Sequence, residues 1–207
     1  MRRFTDKVTE DIHLSVPHRF LTFSIPKAIR GILLRDRRLL KLIPRCAFEV
    51  VKRAMKEALP RESAAGEACG AILAIHTAGN LLKWNPHVHG IVSEGLFDRQ
   101  GRIHHMSDLD AELVEDLFCE KLLTIKRISP GRDASMATWR HSGLSVHSKG
   151  APADPQDPAF CHMLRYMARP AVALSSCPSI RKTGRSSTER ASTPCWVPTG
   201  TRSSLSS

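Results

Sequence analysis

Phe20-Leu21-Thr22-Phe23-Ser24-Ile25 is a short β-type run closed by Pro26, and it predicts a strand. The period then changes. Ile29, Ile32, Leu33, Leu39, Leu40 and Ile43, followed by Ala47, Val50, Val51, Ala54 and Met55, recur near 3.6 and predict helix, with Pro44 breaking it into two. Ala71 to His76 is apolar enough for a buried strand, and His87 to Val92 predicts its antiparallel neighbour. Asp98-Arg99-Gln100-Gly101 predicts a turn. Leu109 to Ile125 predicts an amphipathic helix opened by a Ser107/Asp108 cap. Trp139 to His147 predicts another strand or a hairpin, Gly150 to Pro158 a loop, and Phe160 to Ala168 a short helix stopped at Arg169-Pro170. These elements make an α+β protein with an antiparallel sheet and flanking helices.

After Leu174 the pattern dissolves. Residues 175–207 hold 10 Ser, 5 Thr, 4 Arg, 3 Pro and 2 Gly. Such a segment buries too little apolar surface to offset its ordering entropy, so it is expected to be a disordered tail or a frameshift product. The expected division is an N-terminal arm over 1–15, a folded region over 16–174 and the tail over 175–207.

Charge narrows the class of partner. The net charge is +11, unevenly spread: +8 over residues 1–60, −6 over 61–120 and +9 over 121–207. Two basic zones around an acidic middle suit a polyanion, most simply nucleic acid. No apolar run approaches the ~20 residues of a membrane span, so no membrane is expected as partner. The N-terminus carries no apolar secretion stretch, which makes the cytoplasm the expected location. The six cysteines (46, 69, 119, 161, 177 and 195) form no Cys-x-x-Cys pair, which argues against a zinc ribbon or a disulfide scaffold.

The stretch richest in chemistry is Trp84-Asn85-Pro86-His87-Val88-His89-Gly90. On a strand, positions i and i+2 share a face, so His87 and His89 stand side by side with Val88 turned into the core. Two such imidazoles suit a divalent metal with room for a third ligand and substrate. His76 ends the preceding strand and a hairpin through Gly79–Lys83 brings it alongside; Asn80 is a weaker third donor. Tyr166, the single tyrosine, sits between Arg165 and Arg169 on the short helix. A phenol attacks a phosphodiester when a metal polarises the phosphate and arginine offsets its charge. His104-His105 are expected to be exposed, and Trp84 to pack rather than stack on bases. The residues alone leave open a metal hydrolase that uses water as nucleophile.

Four blocks in order carry a family resemblance: Val16 to Lys27, His76 to His89, Trp139 to His147, and Arg165 to Pro170. Over residues 16–174 the chain resembles the HUH-type tyrosine transposases of rolling-circle insertion sequences, whose signature is His-hydrophobe-His. The resemblance implies an HUH endonuclease-like core with the histidine pair on a central strand. It implies a magnesium or manganese ion on His87 and His89, with His76 as candidate third ligand. It also implies Tyr166 as the nucleophile, which nicks single-stranded DNA at the ends of a mobile element through a 5′-phosphotyrosine and a free 3′-hydroxyl, followed by strand transfer.

The chain departs from that pattern in three ways. Some members carry two tyrosines four residues apart; here the earlier position is His162. Members usually begin with a cysteine-rich zinc module and continue past the Arg-Pro, so this chain is expected to be cut at both ends. The alternative expectation is therefore an inactive, truncated remnant that only binds DNA.

Overall fold

The computed structural model describes residues 6–8, 16–59, 68–79, 83–106, 108–125, 143–151 and 157–168. Their order is β1 (His18–Ser24), α1 (Lys27–Arg35), a 3₁₀ turn (Arg37–Lys41), α2 (Leu42–Ala58), β2 (Ala71–Ala78), β3 (Trp84–Ser93), β4 (Gly95–Phe97), β5 (Ile103–His105), α3 (Ala111–Leu123), β6 (Ser145–Ala151) and α4 (Pro158–Met167). The four long strands form one antiparallel sheet ordered β2-β3-β1-β6, and β4 pairs with β5. This is the α+β architecture with an antiparallel sheet that the periodicity predicts.

The alternation along each strand divides the sheet into two faces. Leu21 and Phe23 on β1, Leu73 on β2, Val88 and Val92 on β3 and Val146 on β6 point one way and are buried. Helices α1, α2 and α3 cover that face with Ile29, Leu33, Ile43, Val50, Val51, Val114 and Phe118, and the Phe23 and Phe118 rings meet edge-on at 4.9 Å. The other face carries Ala74, Ile91 and Phe20, and α4 lays Phe160, Leu164 and Met167 on them, with Val8 beneath. Helix α4 covers only part of this face. Its remainder holds the histidines.

The helix that follows β1 breaks at Asp36, not at Pro44. Asp36 ends α1 and its carboxylate accepts from the Arg38 amide, starting the 3₁₀ turn. Pro44 falls in the first turn of α2, where a missing N–H leaves no intrahelical bond unmade, and it is buried there. Likewise α3 begins at Ala111, because the Asp110 carboxylate caps the Glu112 and Leu113 amides. Asp108 instead caps Leu109 and pairs with Arg19, and Ser107 lies outside the described residues. Strand β6 runs on through Ala151, further than the loop expected from Gly150. Helix α4 opens with Pro158 at its first position and Asp157 as cap, close to expectation. The tail and Trp139 to Ser142 lie outside the described residues.

The Asp98–Gly101 turn joins β4 to β5 and is a small polar core. Burial alone would raise the Asp98 carboxyl. The Arg102 amide and guanidinium, His104 Nε2 and the Gln100 amide all face it and bring it down to about 2. His104 is thus partly buried and hydrogen-bonded to Asp98, contrary to the expectation of exposure, while His105 is exposed. Gly95 passes so close to β5 that a Cβ there would lie 2.2 Å from the His104 carbonyl oxygen, a backbone atom that cannot yield. Gly95→Ala is therefore expected to separate this hairpin and destabilise the chain by about 2 kcal/mol, read as a lower urea midpoint at unchanged slope.

Candidate metal centre

Register decides which side chains meet. His76 on β2 pairs directly with His87 on β3, and His89 pairs with Thr22 on β1. Because side chains alternate, His76, His87, His89 and Thr22 all project from one face, while Val88 is fully buried on the other. Pro86 cannot donate to the ladder. Beside it the pairing skips from His76↔His87 to Ala78↔Trp84, an irregularity of the kind that re-aims side chains near sites.

The three rings form a triangle. Centroids are 4.8 Å apart for His87–His89, 4.9 Å for His76–His89 and 5.5 Å for His76–His87. One ligand nitrogen from each lies within 4.8 Å of the others. Hydrogen bonds to carbonyls select the tautomers. His87 Nδ1 donates to the Asn85 carbonyl at 2.7 Å, which leaves its lone pair on Nε2. His76 Nε2 donates to the Met167 carbonyl at 3.0 Å, which leaves its lone pair on Nδ1. His89 Nδ1 meets Thr22 Oγ1 at 3.2 Å, and its Nε2 is buried with no partner.

That orphaned nitrogen is the observation that fits a metal to this site. A buried polar nitrogen without a partner costs about 1–3 kcal/mol, and in the tautomer with Nδ1 donating to Thr22 a cation held by the three rings would satisfy the Nε2 lone pair. The electrostatics agree. Burial lowers the His87 imidazole, helped by His76 and Arg30 and opposed by the bond to Asn85. Burial, then His87 and His76, brings His89 down to about 4. Both rings are neutral near pH 7, the form that ligates. Asn80 lies outside the described residues.

Tyr166 comes from the far side. The free carbonyls at the end of α4 reach β2, and the His76–Met167 bond fixes the helix end over the triangle. The phenol ring centroid stands 5.0 Å from that of His89 and 5.7 Å from that of His76. Tyr166 is 39% exposed, so one side touches the histidines and the other faces solvent. It lies on the wall of a cleft of about 260 Å³, with Phe20, Thr22, His89, His162 and Met163. Thr22 and the Met167 carbonyl escaped sequence reasoning, because both depend on pairing between distant segments. Trp84 packs as expected: its Nε1 donates to the Arg30 carbonyl at 2.8 Å and the Arg37 guanidinium lies 5.3 Å from its ring centroid.

The triangle makes two predictions. Cobalt(II) titrated into the chain is expected to bind with one-to-one stoichiometry, and His89→Ala to weaken it at least about tenfold; unchanged affinity in that variant would remove the site. Metal-free protein gives the second. His89 is held below the unfolded value, so its contribution is present above about pH 6.5 and fades as pH falls towards 4. Urea unfolding in chelator at pH 5 against pH 7 is expected to show a loss of about 1 kcal/mol that His89→Ala lacks, allowing for solvent screening of a half-buried group.

Comparison with known proteins places this geometry. No curated protein and no solved structure matches the chain. A family model described as "Putative transposase" matches residues 70–184, more than half of the chain, from the start of β2 to beyond α4. Within that stretch lie the three histidines and Tyr166, and the chain belongs to this transposase family.

Proposed function

We propose that the chain nicks and transfers single-stranded DNA at the ends of a mobile element, as an HUH-type tyrosine transposase with Tyr166 as nucleophile. What supports this is one juxtaposition: a part-exposed phenol whose ring centroid lies 5.0 Å from that of His89, over three imidazoles with one ligand nitrogen each within 4.8 Å of the others. Family membership supplies the general setting, DNA cleavage in transposition.

His76, His87 and His89 would hold a magnesium or manganese ion, which when bound would supply Lewis-acid polarisation of a phosphate oxygen. The Tyr166 oxygen forms a bond to phosphorus as the bond to the 3′-oxygen breaks. The phenolic proton passes to water and the released 3′-oxygen takes one up. One phosphodiester replaces another, so the link stores the bond for a second strand's 3′-hydroxyl to recover. The cleft beside Tyr166, with Phe20 and Met163 in its wall, offers apolar surface to a base next to the nick. Thr22 and Met167 hold two of the imidazoles in place and take no part in the transfer.

Incubating the chain with short single-stranded DNA and Mn²⁺ is expected to give a denaturation-resistant adduct that Tyr166→Phe lacks. Cleavage that survives Tyr166→Phe but fails in His87→Ala would assign a hydrolase with water as nucleophile. Salt-sensitive binding with no adduct would leave a remnant that only binds DNA.

A further inference from the structure

Five cations of the described residues have a side-chain ion pair with a carboxylate. Arg19 has Glu94 and Asp108, Arg38 has Asp36, Arg53 has Glu57, Arg102 has Asp98 and Lys121 has Glu49. Arg30 is different. It is partly buried, and among the described residues no carboxylate and no hydrogen-bond acceptor meets its Nη1 or Nη2. Its Nε donates to the Ile25 carbonyl at 2.8 Å, which fixes the root of the guanidinium fork. Its own carbonyl is held by Trp84 Nε1 at 2.8 Å. Both tethers lie at the end of the sheet where the histidines sit: Ile25 follows Ser24, the cross-strand partner of His87, and Trp84 opens the strand that bears His87 and His89.

A desolvated guanidinium without a counter-charge is costly to keep. The protein leaves this one at the end of the sheet that bears the metal triangle, where its charge adds to the lowering of the His87 imidazole. Burial lowers the Arg30 pKa from its ordinary value. The free face of the fork carries two parallel N–H donors, the shape that matches two oxygens of a phosphate.

We propose that Arg30 is the phosphate-binding residue of this site, its Nη donors gripping the scissile phosphodiester of the single strand beside the His87 imidazole. This rests on the reading of the site as one for single-stranded DNA. Arg35, exposed on the same helix with its Nε on the Gly31 carbonyl, is the natural comparison, because it adds charge without a built position.

The test separates binding from turnover by using the whole 207-residue chain carrying Tyr166→Phe. Anisotropy of a short fluorescein-labelled oligonucleotide of random sequence, with Mn²⁺ present, measures affinity. Adding Arg30→Gln is expected to weaken binding about 30-fold, the loss of one charge-assisted contact, whereas Arg35→Gln weakens it less than about threefold. Arg30→Lys, which keeps the charge without the fork, is expected to fall between. Equal effects of Arg30→Gln and Arg35→Gln would overturn the proposal. Should Arg30→Gln melt early, the guanidinium resonances of Arg30 in the otherwise unaltered chain serve instead: a shift on adding the oligonucleotide supports the contact, and no shift overturns it. Failure of the wild-type chain to form an adduct while Arg30-dependent binding persists would remove the nickase and keep the phosphate site.

Discussion

The pairing register of β2, β3 and β1 is the constraint on which the rest depends. Side chains on a strand have a period of two, so sliding β3 by one residue against its neighbours would turn His87 and His89 into the apolar core and Val88 outward. Three buried rows oppose that slip: Leu73, Val88 and Phe23 all lie on the helix-covered face. The hydrophobic core on one side of the sheet therefore sets the positions of the imidazoles on the other. Packing and chemistry share one strand.

Among the described residues the histidine-bearing face of the sheet is only partly covered. Helix α4 buries Phe160, Leu164 and Met167 against Ala74 and Ile91 and then ends over the histidines. Its last carbonyls need partners, and His76 provides one. The same bond holds Tyr166 beside the triangle with a large part of its surface open to solvent. Among the described residues no helix is long and apolar enough to cross a membrane.

Much of this was legible in the sequence, because its signals are local. His-Val-His places two imidazoles on one face by spacing alone, and the short Phe160–Ala168 helix with its single tyrosine follows from period and Pro170. His76 needed one more inference, the hairpin, and the register shows it. What stayed hidden is what distant segments do together. Thr22 reaches His89 across 67 positions of sequence and His76 reaches Met167 across 91, and no pattern of residue types announces either. Arg30 is set apart from Arg35 only by its hydrogen bonds to the Ile25 carbonyl and the Trp84 indole, the latter joining distant segments. The break at Asp36 was missed because Pro44 is the louder signal, though a proline in a first turn breaks nothing. The position of His104 after a turn suggests exposure, but Asp98 folds back onto it.

The central claim is that the three imidazoles form one metal site under Tyr166. Pulsed EPR of the Mn²⁺-loaded chain measures it most directly, because imidazole nitrogens bound to manganese modulate the echo. The account predicts nitrogen couplings from three histidines, each lost singly in His76→Ala, His87→Ala and His89→Ala. An echo with water protons alone, or one unchanged by all three substitutions, would contradict it.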